Sequence, residues 1–311
     1  MQPNHQQPQE FSNLCFSVNI GSKRVEPYPG MLEKRNFVTS AVVNNTLYAL
    51  GGKPDPGVQI RLNSCEQLKL KDDQPKWKHI SPMVHSRSDA GTAVLNDKIY
   101  VIGGFSGETS LRSVEVYNTN TNAWSTAPPL NIKRTGVSCV ELGGRIYALG
   151  GNDGGERLSS VERYSPLNNR WELMSPMLCS RSNFGVGVVE GKIIVFGGYD
   201  GNHVTRTIEI YHPDLDEWRE GCPMLYPTSG MATAVVQTSN ISSFLQEDYC
   251  YDRKHELLME NRNKTSTDRD VLFYEDIDSE DYAEEEEEDL FYETDHEDND
   301  DDEDIVIEYE Y

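Results

Sequence analysis

No stretch of this 311-residue chain approaches the run of about 18 apolar residues that a membrane helix needs, and the opening Met1 to Glu10, rich in Gln and Pro, has no signal-peptide core. The six cysteines (Cys15, Cys65, Cys139, Cys179, Cys222, Cys250) contain no C-x-x-C pair. Several fall in predicted strands, where a buried free thiol is the expected state, so a reducing, cytoplasmic setting is favoured. The sequons at Asn44, Asn240 and Asn263 then carry no meaning. The seven histidines never reach metal-ligand spacing with one another or with cysteine, so no metal and no cofactor is expected. There is no nucleophile elbow and no phosphate loop, which argues against an enzyme. An acidic chain without a basic stripe is a poor partner for nucleic acid.

Tryptophan is scarce, but its four copies are evenly placed: Trp77, Trp124, Trp171 and Trp218 each stand 47 residues from the next. Glycine pairs keep step at Gly51-Gly52, Gly103-Gly104, Gly150-Gly151 and Gly197-Gly198, and an arginine precedes each pair by 16 residues, at Arg35, Arg87, Arg134 and Arg181. Within the unit, the arginine leads into an apolar run, a short polar turn and a second apolar run ending on the glycine pair. A Gly-rich loop follows, then a strand such as Ser113 to Tyr117, Ser160 to Tyr164 or Thr207 to Tyr211, then the Trp. Short β-branched and aromatic runs between Gly, Pro and Asn turns predict a four-stranded antiparallel sheet, and they are too short for helices. A period near 50 residues points to propeller blades, which bury their faces only against one another.

The double glycine, the six residues between Tyr and Trp, the Glu two places before the Tyr (Glu115, Glu162, Glu209) and the recurring arginine resemble the kelch repeat over residues 12–240. The first copy departs, with Leu68 in place of the Tyr. The resemblance implies an all-β kelch β-propeller between a disordered N-terminus (1–11) and a disordered acidic tail (241–311). Residues 14 to 31 resemble the last two strands of a unit, with Val18 and Val25 in the Tyr and Trp places. Residues 222 to 237 resemble a first strand, with Thr228 at the arginine place. Two readings follow: the two ends pair into one composite blade beside four full ones, leaving no open edge, or the array is a truncated six-bladed domain, open or stabilised by a partner.

Function in such a fold belongs to rim loops rather than the packed strands. Similarity to the kelch-like (BTB-kelch) adaptors implies a non-enzymatic receptor that presents substrates to a Cullin-3 ubiquitin ligase, its inter-blade residues gripping the carboxylates of an acidic degron peptide. Carried to this chain, that nominates Arg87, Arg134 and Arg181 with Ser88, Ser182 and Asn183, although an arginine at the same place in every copy is first a repeat-building residue. Phe105, Tyr199, Asn202 and His203 differ between copies and are the candidates for specificity. Only about 30 residues precede the repeats, so the BTB and BACK domains that reach Cullin-3 are not in this sequence, and any link to the ligase is expected to be indirect. Actin binding is the alternative reading, and an enzyme with a loop-built site is the third.

Charge divides the chain. Residues 241–311 hold 29 acidic and 5 basic side chains, the remainder 23 of each, and no Lys or Arg follows Asp270. Such a segment is expected to be disordered. It nevertheless carries apolar triplets set in acid: Leu272-Phe273-Tyr274, Leu290-Phe291-Tyr292 and Ile305-Val306-Ile307. Thr294, with Glu297 following, fits an acidophilic kinase site. Being acidic and tethered, the tail is also expected to compete for an arginine-lined rim.

Overall fold

The computed structural model describes residues 13–19, 22, 24–55 and 57–237, together with two further strands at 269–273 and 305–307. The elements among these are all β-strands, most of them five residues long. Strands β1 (Cys15–Asn19) and β2 (Arg24–Tyr28) form a hairpin. The first blade is β3 (Thr39–Val43), β4 (Thr46–Leu50), β5 (Cys65–Lys69) and β6 (Lys78–Ile80). The second is β7 (Gly91–Leu95), β8 (Lys98–Ile102), β9 (Val114–Asn118) and β10 (Ala123–Ala127). The third is β11 (Ser138–Leu142), β12 (Arg145–Leu149), β13 (Val161–Ser165) and β14 (Arg170–Met174). The fourth is β15 (Gly185–Val189), β16 (Lys192–Phe196), β17 (Ile208–His212) and β18 (Glu217–Glu220). Then come β19 (Thr233–Gln237), β20 (Arg269–Phe273) and β21 (Ile305–Ile307). Each full blade is an antiparallel meander paired in sequence order.

Local chemistry sets the hairpins. The turn between the first two strands of each blade places two residues at positive φ: Asn44-Asn45, Asn96-Asp97, Gly143-Gly144 and Glu190-Gly191. This two-residue geometry matches the strand twist and favours Asn, Asp and Gly. Across the last two strands, Trp124, Trp171 and Trp218 stand opposite Tyr117, Tyr164 and Tyr211. The same tyrosine hydroxyls donate to Asn122, Asn169 and Asp216 in the hairpin turns, at 2.8, 2.8 and 2.7 Å. Val18 faces Val25 in the N-terminal hairpin, which confirms that β1 and β2 are the third and fourth strands of a unit.

First strands of successive blades (β3, β7, β11, β15, β19) face one another and line the axis. Around it, one backbone bond steps from unit to unit. The N–H groups of Asp89, Gly136, Asn183 and Gly230 donate to the carbonyls of Phe37, Asp89, Gly136 and Asn183, at 2.9–3.0 Å, all five residues having φ of 52–76°. Each apolar core is shared by two neighbours: Tyr48, Leu50 and Met83 pack with Ile99, Val101 and Tyr117. Ile102 and Leu130 pack with Ile146 and Trp171, and Leu149 and Met177 with Ile193 and Trp218. The indole N–H of Trp77, Trp124, Trp171 and Trp218 crosses each seam to a carbonyl of the preceding unit: Pro29, Ser81, Pro128 and Ser175, at 2.6–3.0 Å.

The glycine pair makes the same crossing from the other side. The N–H groups of Gly52, Gly104, Gly151 and Gly198 donate to the carbonyls of Arg87, Arg134, Arg181 and Thr228 at 2.7–2.8 Å. A Cβ on Gly150 (φ +57) would lie 2.5 Å from the Arg181 carbonyl oxygen, so no side chain fits. Thr228 thus occupies the arginine place of a fifth unit, as its sequence position indicates.

The ends do not share a sheet. β19 pairs with β20, and β1 pairs with β2 and β21, so both end sheets draw a strand from the acidic tail instead of joining each other. Two tail segments are therefore strands where the composition predicts disorder. The Leu290 triplet and Thr294 lie outside the described residues.

Cys15, Cys65 and Cys139 are buried, Cys65 and Cys139 as free thiols, and burial pushes the Cys65 thiol up to about 12. Cys179 and Cys222 are free and exposed, and Cys250 is outside the described residues. A thiol reagent should label Cys179 and Cys222 in the native protein and leave Cys15, Cys65 and Cys139 unmodified until denaturant is added. Peptide mapping of the labelled sites is the check.

Candidate functional site

The repeated arginines sit at the start of each blade with their side chains fully enclosed: Arg87, Arg134 and Arg181 are each 0% exposed. Arg134 donates from Nη1 to the carbonyls of Gly150 (2.7 Å) and Ser160 (2.8 Å), from Nη2 to Ser160 Oγ (2.9 Å) and from Nε to Glu162 (3.2 Å). Arg87 meets the same partners, Gly103, Ser113 and Glu115, and Arg181 meets Gly197, Thr207 and Glu209, but both reach the glutamate through Nη2 and leave Nε without a partner. The glutamates complete the device. Glu115 also accepts from the N–H groups of Val84 (2.6 Å) and His85 (3.1 Å), which tie down the inter-blade turn. Burial alone would raise the Glu115 carboxyl, yet these N–H groups and the Arg87 charge hold it below the usual carboxylate range. The three arginines therefore belong to the framework, and their guanidinium groups cannot reach a partner at the rim.

The remaining candidates fall into two groups, Ser88 with Phe105 on the second blade and Ser182, Asn183, Tyr199, Asn202 and His203 on the fourth. Each loop after a glycine pair bridges back to the residue following an arginine: Ser88 with Phe105, Thr135 with Asn152, Ser182 with Tyr199. Ser88 and Ser182 are nearly buried beneath this edge, while Asn183, Asn202 and His203 are exposed on it. Asn202 and His203 form the tip of a tight turn in which Asp200 Oδ1 accepts both their N–H groups at 2.7 Å. Asp89, Thr135, Gly136, Asn152, Arg157, Ser182 and Asn183 line a cavity of about 150 Å³ between blades.

Two arginines missing from the sequence-based candidates stand over the two aromatics. Arg61 lies 5.2 Å from the Phe105 ring centre and donates from Nε to Ser88 Oγ at 2.7 Å; Ser88 in turn donates to Asp89 Oδ2 at 2.5 Å. Arg157 lies 5.1 Å from the Tyr199 ring centre, and its enclosed Nε has no hydrogen-bond partner. Burial raises the Asp89 carboxyl, opposed by the Ser88 hydroxyl and the charges of Arg61 and Lys53. A signal existed in the repeat. Arg61, Ser110, Arg157 and Val204 hold one place, directly before Leu62, Leu111, Leu158 and Thr205, and they vary as specificity residues do.

Among the described residues, Glu33, Glu66 and His79 bring ligand atoms within 4.8 Å of one another. Glu66 is committed to Arg35 and to the N–H groups of Leu32 and Glu33, so the trio reads as an ion-pair cluster rather than a metal centre.

Comparison with known proteins follows the same line. The family profile of the KLHDC2/KLHL20/DRC7 Kelch-repeats domain matches residues 7–198, and the Kelch motif matches residues 180–225. The chain belongs to the kelch-repeat family. It is 29% identical over 134 residues to Kelch repeat and BTB domain-containing protein 2 of cowpox virus, covering 37% of this chain and 23% of that protein. It is 35% identical over 119 residues to human Kelch repeat and BTB domain-containing protein 12, covering 34% of this chain and 19% of that protein. The matches thus span a quarter or less of these relatives' length. The solved structure of YjhT superposes with a TM-score of 0.55 at 16% identity, over 64% of this chain and 69% of that one, which shows the fold.

Replacing Arg134 with Met leaves Glu162 buried without its cation and should cost about 3–5 kcal/mol, whereas Arg157→Gln on the rim should change stability by no more than about 0.5 kcal/mol. Urea denaturation of both variants separates framework from rim. Glu115→Gln should be less stable than the parent near neutral pH. Because the folded-state pKa of Glu115 is depressed, that deficit should shrink as pH falls below about 4.5 and through the folded value, measured by the same titration across a pH series.

Proposed function

We propose that this propeller is a non-enzymatic receptor whose rim binds an acidic segment of a protein partner, as the substrate-recognition part of a Cullin-3 adaptor does. Kelch repeats and kelch-like relatives support protein interaction as the general role, and the relatives carry BTB domains in their names. The observation that carries the finer reading is Arg157. Asp89 in the same cavity is held by Ser88, with Arg61 close behind it, whereas the Arg157 guanidinium lines the cavity beside Ser182 and Asn183, over the Tyr199 ring, with no hydrogen-bond acceptor among the described residues. A planar guanidinium with free donors, backed by an aromatic ring, suits a carboxylate oxygen far better than a neutral group. Asn183, Asn202 and His203 stand on the same rim to contact neighbouring side chains of the ligand.

The test is fluorescence polarisation with two peptide libraries, one containing Asp and Glu at fixed places and one with Asn and Gln there instead. The acidic library should be retained at least tenfold more tightly, and Arg157→Gln should abolish that preference while leaving the melting temperature unchanged. Equal affinity for both libraries would overturn the reading. Co-sedimentation of the chain with actin filaments, without any peptide preference, would put the cytoskeletal reading in its place.

A further inference from the structure

In every full blade the second strand is deeply buried: all five residues of β4 are enclosed, four of the five in β8 and β12, and three of the five in β16. It lies between the first strand, at the axis, and the third. The incomplete units at the two ends both lack it. The C-terminal one has only a first strand, β19, and the N-terminal one only a third and fourth, β1 and β2. Each therefore has a bare edge where a second strand belongs.

The tail strands stand at those two edges, in register. In complete blades, the second residue of the second strand pairs with the Tyr of the third: Ile193 with Tyr211, Ile146 with Tyr164, Ile99 with Tyr117, and in the first blade Leu47 with Leu68. On β1, the Tyr place is Val18, and its antiparallel partner is Ile305, followed by Val306 opposite Ser17 and Ile307 opposite Phe16. Ile305-Val306-Ile307 thus lies where Ile193-Ile194-Val195 lies in the fourth blade. The other edge gives the same answer through a different neighbour. Thr228 holds the arginine place, so Thr233 corresponds to Val186, which pairs with Val195. Thr233 pairs with Phe273, Ala234 with Leu272 and Val235 with Val271, which sets Val271-Leu272-Phe273 on the same three places. Two separate apolar triplets therefore take positions two to four of a second strand.

We propose that the acidic tail is a strand donor, whose two apolar triplets act as surrogate second strands and complete the end units of the propeller. Strand addition supplies backbone hydrogen bonds to an exposed edge, and alternation along the strand restricts register, so a triplet suffices to specify the docking. Tethering makes the donation intramolecular and favours it over pairing with another chain. The acidic residues between the triplets keep the connecting segment soluble and oppose docking of the wrong segment.

Hydrogen exchange on the full chain tests this. Ile305→Asp with Ile307→Asp should speed amide exchange at Phe16 to Val18 at least tenfold. Val271→Asp with Phe273→Asp should do the same at Thr233 to Gln237. In both, β7 and β11 should keep their rates. Leu290→Asp with Phe291→Asp, in the triplet that neither edge uses, should change nothing. Exchange at both edges that is unchanged in the first two variants, or equally raised by the third, overturns the proposal. A second measurement does not depend on how these variants fold. Ser17→Cys with Val306→Cys, in a Cys179→Ser, Cys222→Ser background, should cross-link through a short bis-maleimide between those two residues. Failure to recover that peptide pair overturns the assignment of β21.

Discussion

The structure depends on one buried ionic seam repeated around the axis. A guanidinium placed in an apolar interior is costly unless every donor finds an acceptor, and the charge needs a counter-ion of excellent geometry. Arg134 meets both conditions with two carbonyls, a serine hydroxyl and Glu162, all from its own blade. Its backbone carbonyl meanwhile accepts from Gly104 of the preceding blade. One residue thus closes its own blade and binds the previous one, which is why arginine, glutamate and the glycine pair travel together. The glycine is needed because its Cβ would occupy the neighbour's carbonyl, and the glutamate because its second oxygen caps the turn that delivers the arginine.

That division of labour decides where a partner can bind. The seam consumes the most conspicuous cations of the repeat, and the Trp and Tyr side chains are spent between blades and on hairpin turns. What remains free stands on the loop edge, where the Phe105 and Tyr199 loops bridge back to Ser88 and Ser182. There the backbone is fixed by regular pairing while the side chains differ from blade to blade. A rigid frame carrying variable side chains is the arrangement recognition requires, since little ordering entropy is lost when a ligand docks.

Much of the framework was legible in the amino-acid order because it repeats. Trp spacing, the glycine pairs and the Glu-x-Tyr strands announce the full blades and their strand order, and their spacing alone places Val18 and Val25 as Tyr and Trp equivalents. The candidate edge was less legible for the same reason. Periodicity marks what every blade shares, so it drew attention to Arg87, Arg134 and Arg181, whose identical surroundings are what bury them. Arg61 and Arg157 break the period, so periodicity does not mark them, although a residue that varies at a fixed rim position is the better candidate. Burial is a tertiary property: no spacing rule states whether an arginine faces a carbonyl or solvent.

The ends carry the same lesson in a different form. An array of blades leaves unsatisfied strand edges wherever the repeat stops, and unpaired edges invite association with other chains. A closed ring solves this by joining the first unit to the last, which requires the two halves to supply all four strands between them. Here they supply a first, a third and a fourth. The missing strand is the most apolar of the unit, and the apolar triplets Val271-Leu272-Phe273 and Ile305-Val306-Ile307 lie within the acidic stretch that follows β19. Read by composition, that stretch has no reason to fold; read by register, two of its triplets fit the vacant place, one on each edge. A sequence too charged to build a core of its own can still finish one that lacks a strand, because the backbone of the edge supplies half the hydrogen bonds and the neighbouring blade supplies the apolar surface.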